Sequence, residues 1–448
     1  MGDFQWTKEQ LDCLHRTAAI LGDVDPSMAV IRGHAGTGKS TLMAELNKRA
    51  TEAGFITKFV APTNSAAMNL HDRIGVPCTT IHNSIYKPVV TGDMVRFEAR
   101  SGMVEDKVLW MVDEASMVSN QLTSGAFQTP STVLVDLVEH IQKHAKVPKV
   151  VFVGDVFQLP PVGEDQSDAL DPTILSQIWG GDTEVVMSKL THVMRQAEGS
   201  PILDMTARAI GLMQSNAGYH WKSSGGMLGM PWEWKVLNAV TATAEDATEG
   251  PKLKTVSIVY SNKEVNFMNN SVRDMMDREP GKLSVGDHLV TDKSTVIEGL
   301  IIPKGTRVVV TDVDGAPHRW GGCRFQGAEF ATELGSEPMR HLLNLDVLFS
   351  EKGNIGSEAE KKLKEEAMRS NPKYREYQND ADEPHMSAVR ARFGYSMTAH
   401  KAQGREFDKV YIKPIWSSYN TDFQNWQWLY TALTRARQSV STIDFRAA

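Results

Sequence analysis

The run Gly33-His34-Ala35-Gly36-Thr37-Gly38-Lys39-Ser40 carries the spacing GxxxxGK[ST] in full. Glycines at those positions let backbone N–H groups turn toward an anion, and a helix starting at the end of the loop adds the positive end of its dipole. The apolar stretch MAVIR precedes the loop and STLMAELNKRA follows it, so it falls between a strand and a helix. Residues Gly33 to Thr41 would then surround the phosphates of a nucleoside triphosphate. Lys39 would reach the β- and γ-phosphates, and Ser40 would ligate Mg2+.

Triphosphate hydrolysis also needs carboxylates. The apolar stretch Val108-Leu109-Trp110-Met111-Val112 ends in Asp113-Glu114. A strand tip in the same sheet as the loop brings both acids to the phosphates: Asp113 for the metal, Glu114 to orient or deprotonate the attacking water. Gln158 follows another such strand, VVFVGD, where a neutral amide can sense the γ-phosphate. Arg435 follows WLYTAL, and a guanidinium there can neutralise charge developing on the γ-phosphate.

The elements that must position these groups follow from the apolar pattern. MAVIRG, FITKFVAP, VLWMVDEA and KVVFVGD read as buried strands of a parallel sheet, separated by turns and longer helical segments. Between two of them, residues 86–106 carry two β-prone runs around Thr91-Gly92-Asp93, the pattern of an inserted hairpin. Residues 210–250, rich in Gly, Ser, Ala and Trp, read as irregular connection. KTVSIVYSN and KEVNFMNNSVRDMM resume a strand and a helix. From 281 to about 350, LSVGDHLV, GTRVVVTDVDG and NLDVLF suggest a small antiparallel barrel. A charged helix over 357–378, broken near Pro372, precedes a return to the α/β pattern from about 388. The expected architecture is α/β with two P-loop-type modules: 1–190, then 191–280 joined with 386–448, the second interrupted by an insertion at 281–385.

The 448 residues suit about three domains by length. With 48 Lys+Arg against 55 Asp+Glu the net charge is −7, which excludes a protein that coats nucleic acid by bulk charge. A local basic groove is still allowed: residues 386–448 hold nine Lys or Arg against four acids. Cys13, Cys78 and Cys323 are too scattered for a zinc site and suggest a reducing compartment. There is no apolar run of 18 residues, and MGDFQWTKEQ lacks a signal-peptide pattern, so a membrane partner is not expected.

Six segments in order carry a family resemblance: Gly33–Ser40, Ala61-Pro62-Thr63-Asn64, Asp113-Glu114-Ala115-Ser116, GDVFQLP at 154–160, TAHKAQG at 398–404 and YTALTRAR at 430–437. Together they resemble superfamily 1 helicases, in particular the RecD-like branch and its Dda-type members. The resemblance implies two RecA-like modules that bind ATP between them with Mg2+, a strand-separating pin at 86–106, and an SH3-like barrel plus helical insertion in the second module. It implies 5′→3′ movement on single-stranded and forked DNA, with a single-strand-binding protein or replication proteins as candidate companions; compact size and the lack of targeting signals suggest the cytoplasm of a bacterial or phage-infected cell.

The same resemblance assigns Gln10 to the adenine edge, Glu406 to the ribose and Arg195 to a second γ-phosphate contact. Pro62, Thr63 and Asn64 sit at a strand end where their donors could hold DNA phosphates. Thr80, His82, Ser261, Asn262, Thr398 and His400 match further DNA contacts, and Phe97 is placed near the pin tip, stacking on the first base pair. Phe157, the tryptophans at 221–234 and Trp416 are candidate stacking residues. Two rivals remain open: a single-strand translocase that displaces bound proteins but unwinds little, and a P-loop phosphotransferase. The latter gives no reason for Gln158, Arg435 or the segment Thr398 to Gly404.

Overall fold

The computed structural model describes residues 6–22, 27–91, 94–122, 127–193, 201–215, 232–250, 252–297, 300–333, 337–413 and 420–442. The chain divides into two compact units. The first comprises residues 1–217, 403–405 and 419–434, and the second 218–402, 406–418 and 435–448.

The first unit begins with helix α1 (Lys8–Ala18) and then alternates strand and helix: β1 (Met28–Gly33), α2 (Lys39–Glu52), β2 (Ile56–Ala61), α3 (Asn64–Ile74), β3 (Cys78–Thr80) and α4 (Ile81–Ile85). Next come β4 (Tyr86–Thr91), β5 (Met94–Ala99), β6 (Glu105–Val112), β7 (Phe127–Gln128), α5 (Val133–Lys143), β8 (Ala145–Gly154), α6 (Pro172–Trp179), β9 (Val185–Leu190) and α7 (Pro201–Gln214). Six strands form one sheet in the order β3-β2-β6-β8-β1-β9, and every neighbouring pair is parallel.

Such a sheet is apolar on both faces because helices cover both. Val30, Val112 and Phe152 point to the side of Leu134, Leu137 and Ile141 of α5. Their chain neighbours Ile31, Met111 and Val153 point to the side of Leu14, Leu42 and Leu46 of α1 and α2. Each of these buried side chains contributes roughly 1.5–3 kcal/mol by leaving water. A helix from late in the chain, Asp422–Leu433, also packs in this unit, and its N-cap Thr421 forms a capping box with Gln424. The hairpin expected at 86–106 is present as β4 and β5, paired from Tyr86 with Ala99 to Thr91 with Met94.

The second unit starts with α8 (Trp232–Glu249), β10 (Thr255–Val259) and α9 (Asn262–Met275). An antiparallel insert follows: β11 (His288–Thr291), β12 (Thr295–Ile297), β13 (Leu300–Ile302), β14 (Arg307–Trp320), β15 (Cys323–Thr332) and β16 (Met339–Asn344). Then come α10 (Leu345–Leu348), α11 (Gly356–Ser370), α12 (Pro372–Tyr377), β17 (Ala391–Phe393), β18 (Ser396–Thr398), α13 (Ala399–Ala402), β19 (Phe407–Ile412) and β20 (Ala436–Ser441). The parallel sheet runs β18-β10-β19-β20, and the antiparallel one β16-β15-β14-β11-β17.

Three expectations change here. Part of the supposed irregular connection is helix α8, which buries Ala239, Val240 and Ala244; the Gly- and Ser-rich residues lie before it, at 216–231, outside the described residues. NLDVLF is not a strand: Asn344 accepts from Val347 N–H and caps the short helix α10. Residues 391–393 do not resume the parallel pattern but pair with β11 as the edge of the insert. The break near Pro372 falls where expected, between α11 and α12. Among the described residues no helix is long and apolar enough to cross a membrane.

Candidate nucleotide site and strand-binding edge

In a parallel sheet all strands end on one edge, and in the first unit that edge collects the candidate residues. From one side to the other it carries Thr80 and His82 after β3, Pro62, Thr63 and Asn64 after β2, Asp113 and Glu114 after β6, Asp155 to Gln158 after β8, and the Gly33–Ser40 loop after β1. Nucleic-acid candidates occupy one end, phosphate groups the other, and the two acids lie between them.

The loop is shaped for an anion. Gly36 and Gly38 have φ of 80° and 87°, a region other L-residues rarely enter. A Cβ on Gly38 would also meet Gln10 Nε2 at 2.6 Å. Gln10 is buried, donates from Nε2 to the Thr37 carbonyl (3.0 Å) and accepts at Oε1 from Thr7 N–H (3.1 Å). Lys39 Nζ lies over the loop, donating to the carbonyls of Gly33 (2.8 Å) and His34 (3.0 Å). Arg73 of α3 donates to Ser40 Oγ (3.3 Å).

Asp113 is buried. Desolvation first, and then the charge of Glu114, push its carboxyl up to about 6, while Lys39 and Arg73 act in the opposite sense. Glu114 holds a left-handed φ of 48°, strained for a residue with a side chain, and its Oε2 is buried with no hydrogen-bond partner. Gln158 is buried too, and its Oε1 is likewise unpaired. Buried carboxylate and amide oxygens left unpaired beside a glycine loop fit a triphosphate with a metal ion and a water.

The loop carrying Gln158 is tied down by side chains to which the sequence assigned no role. Tyr430 of the late helix donates to Asp155 Oδ2 (2.7 Å) and accepts from Ala35 N–H (3.3 Å). Thr431 Oγ1 accepts from Leu159 N–H (2.9 Å), Gln427 Nε2 donates to the Gln158 carbonyl (3.2 Å), and Gln403 Nε2 donates to the Leu159 carbonyl (2.8 Å). Tyr430 lies inside the recognised segment YTALTRAR, but its partners are too distant in sequence to be inferred. Phe157 packs edge-on against His34 and Tyr430.

Thr63 and Thr80 cap α3 and α4 through Oγ1, each accepting at 3.2 Å, and Asn64 begins α3. His82 is held neutral-leaning by burial, which lowers its pKa. Phe97 requires a correction. It pairs with Pro88, three positions past the start of β5, and lies half-buried against Tyr86 (5.6 Å between rings) and His82 (6.0 Å). The ring belongs to the packed base of the hairpin, because the alternation of β5 turns position 97 toward the core.

In the second unit, Ser261 and Asn262 follow β10 while Thr398 ends the adjacent parallel strand β18, paired with Val259, so these residues and His400 share one sheet edge. Ser261 forms a capping box with Glu264. Glu406 is ion-paired with Arg437 (3.1 Å). Arg435 immediately precedes β20, and its carbonyl accepts from Phe407 N–H (2.9 Å). Arg195, Trp221 and Trp416 lie outside the described residues, as do the side chains of Trp232 and Trp234.

Fold and loop together define a P-loop α/β protein that binds nucleotide. Residues 7–211 match the AAA domain family and residues 393–441 the UvrD-like helicase C-terminal domain family. These two matches make the chain similar to superfamily 1 helicases of the RecD/Pif1 type. It is 31% identical over 191 residues to the ATP-dependent RecD2 DNA helicase of Deinococcus radiodurans, covering 42% of this chain and 22% of that protein. It is 28% identical over 159 residues to an uncharacterized protein of Methanocaldococcus jannaschii, covering 33% of this chain and 12% of that one. Across four curated relatives the chain spans 12–22% of their length. In fold it is similar to the crystal structure of Pif1 helicase from Candida albicans, with TM-score 0.50 and 16% identity over 99% of this chain and 95% of that one.

Proposed function

We propose that the protein is an ATP-dependent DNA helicase that moves 5′→3′ along single-stranded DNA and opens forked duplex. The observation that carries this reading is the single sheet edge on which Thr63 and Thr80 at one end and the glycine loop at the other flank Asp113 and Glu114. On such an edge, strand binding and phosphate chemistry act on the same two acids. The match to a protein named an ATP-dependent DNA helicase adds to it.

In this reading the loop amides, Lys39 and Ser40 hold the phosphates of ATP, and Asp113 and Ser40 would hold Mg2+, whose charge would be supplied to the phosphates there. Glu114 takes the proton of the attacking water, and Gln158 senses the γ-phosphate. Arg195 and Arg435 neutralise developing charge there, and Glu406 serves the ribose. Ser261, Asn262, Thr398 and His400 continue the strand path on the second unit. The β4–β5 hairpin is the pin, the antiparallel insert is the SH3-like element, and direction follows the family resemblance alone. The working module boundaries are 1–190, 191–280 with 386–448, and an insertion at 281–385.

The test is a forked duplex with one 5′ single-stranded tail, assayed with ATP beside measurements of hydrolysis with and without a saturating strand. Strand-stimulated hydrolysis with separation of the 5′-tailed fork is expected; hydrolysis indifferent to the strand would defeat the reading. One observation favours a second reading, a translocase that displaces bound proteins with little unwinding: Phe97, the ring assigned to split the duplex, packs on Tyr86.

A further inference from the structure

One hydroxyl bridges the two halves of the nucleotide site in the first unit. Tyr430 Oη accepts from Ala35 N–H in the glycine loop (3.3 Å) and donates to Asp155 Oδ2 (2.7 Å). The other oxygen of Asp155 accepts from Phe157 N–H (3.1 Å), and the Asp155 carbonyl accepts from Gln158 N–H (3.2 Å). Tyr430 and Asp155 are both 1% exposed, so neither group exchanges these partners for bulk water. Two further side chains of the same helix, Gln427 and Thr431, hold the Gln158 loop by its backbone.

N–H groups of a glycine loop are donors for phosphate oxygens. Ala35 N–H already has an acceptor, the phenol. A phosphate oxygen that claims this donor displaces the phenol from the loop and leaves its bond to Asp155 in place. A phosphate that leaves it in place meets a loop already braced against Asp155. In both cases the state of the loop reaches Asp155, and through it the Gln158 loop, by a single oxygen atom.

We propose that Tyr430 is a positioning residue that couples occupancy of the Gly33–Ser40 loop to the Gln158 loop, acting through Asp155. This rests on the reading of the glycine loop as an ATP site. Its signature is a split. Loss of the hydroxyl removes an acceptor that competes for a phosphate-binding donor, so nucleotide affinity is maintained or rises. Loss of the link to Asp155 leaves Gln158 poorly placed, so turnover falls. A purely structural tyrosine would weaken both together.

Tyr430→Phe in the full chain keeps the ring beside Phe157 and removes only the oxygen. In nucleotide-free protein, amide hydrogen exchange at Ala35 should accelerate by roughly tenfold, the equivalent of one neutral hydrogen bond. Affinity for adenylyl imidodiphosphate should be equal to or above wild type, while strand-stimulated kcat falls by about tenfold. Asp155→Asn supplies the second variant: combined with Tyr430→Phe, the two losses in kcat should not add. Unchanged Ala35 exchange, a joint fall of affinity and kcat, or additive losses would each overturn the proposal. If wild-type protein lacks strand stimulation, the helicase reading fails, while the exchange and affinity measurements still decide the role of Tyr430.

Discussion

Gln10 donates from Nε2 to the carbonyl of Thr37 across 3.0 Å and accepts at Oε1 from Thr7 N–H at 3.1 Å, so both ends of its amide are engaged by the protein. The contact braces the glycine loop from below, beside Gly38, where a Cβ would strike the same amide. Gln10→Ala should therefore lower triphosphate affinity by roughly tenfold, the loss of one buried hydrogen bond. A brace makes that loss equal for ATP and GTP. Binding measured with both nucleotides decides the role: a loss confined to ATP would return Gln10 to reading the adenine edge.

The acids after β6 divide their work by environment. Asp113 is the buried one, and Glu114 keeps an unpaired oxygen on a strained backbone. Glu114→Gln preserves size and should leave nucleotide binding within a few-fold of wild type while slowing hydrolysis by about 10²–10⁴, the usual worth of a positioned proton acceptor. Lys39→Ala should abolish both. Equilibrium binding beside single-turnover hydrolysis checks the pair, and rapid hydrolysis by Glu114→Gln would move the proton acceptor elsewhere.

Arg435 follows the helix that carries Tyr430 and Thr431 and directly precedes β20. If its guanidinium neutralises the γ-phosphate, Arg435→Lys keeps a charge but loses the planar fork. The kcat for strand-stimulated hydrolysis should then drop by about 10³ with little change in ATP affinity. Normal turnover in that variant would transfer the role to Arg195.

What could be read in advance was what is local. The apolar runs within MAVIRG, FITKFVAP, VLWMVDEA and KVVFVGD announce strands buried on both faces, and the glycine loop is fixed by residue type and spacing over eight positions. The ties that shape the site are not local. Tyr430 reaches Asp155 across 275 residues and Thr431 reaches Leu159 across 272, and nothing in either segment encodes the other. The same limit explains β17: Ala391–Phe393 has strand propensity in any setting, and only its pairing with β11 decides which sheet receives it. At Asn344 the missed signal was present, an N-cap residue before Leu-Asp-Val-Leu, outweighed by the β-prone look of the run.

His140 makes acid stability a measurable property of the first unit. Burial first, then the positive groups His144, Lys58, Arg100 and Lys143, lower its pKa to about 4. Its Nδ1 is buried with no hydrogen-bond partner, its ring lies 4.2 Å from that of His144 and tilted to it, and Trp110 meets it edge-on. In the unfolded chain the group titrates near ~6.5. Between those values the unfolded state binds more protons, so stability falls as pH drops from about 6.5 toward 4, and the loss is complete once the folded state protonates as well. His34, His82, His288 and His400 are shifted in the same direction, so His140→Gln isolates one share of the effect. Urea midpoints at pH 7.5 and 5 should lie closer together in that variant than in wild type; an equal separation would show that His140 titrates normally.

Phe97 separates hairpin packing from strand separation. Its ring contacts Tyr86 and His82 and joins the cluster of Ile81, Ile85 and Leu134. Tyr86 is itself fixed by a hydrogen bond from its hydroxyl to Asp136 (2.6 Å) on α5. The ring therefore connects the hairpin to the helix layer beneath the sheet. Full removal of a buried phenylalanine costs about 3–5 kcal/mol, and a half-buried one roughly half of that. Phe97→Ala should lower the unfolding midpoint and depress strand-stimulated hydrolysis and fork opening together, because His82 and the edge proposed to bind the strand share this packing. Phe97→Leu, which refills most of the space without an aromatic face, should restore stability and hydrolysis. If fork opening returns with them, the ring acts by packing and the duplex is split elsewhere on the hairpin. A Phe97→Leu protein that is stable and hydrolyses ATP normally yet fails to open the fork would reinstate base stacking by Phe97.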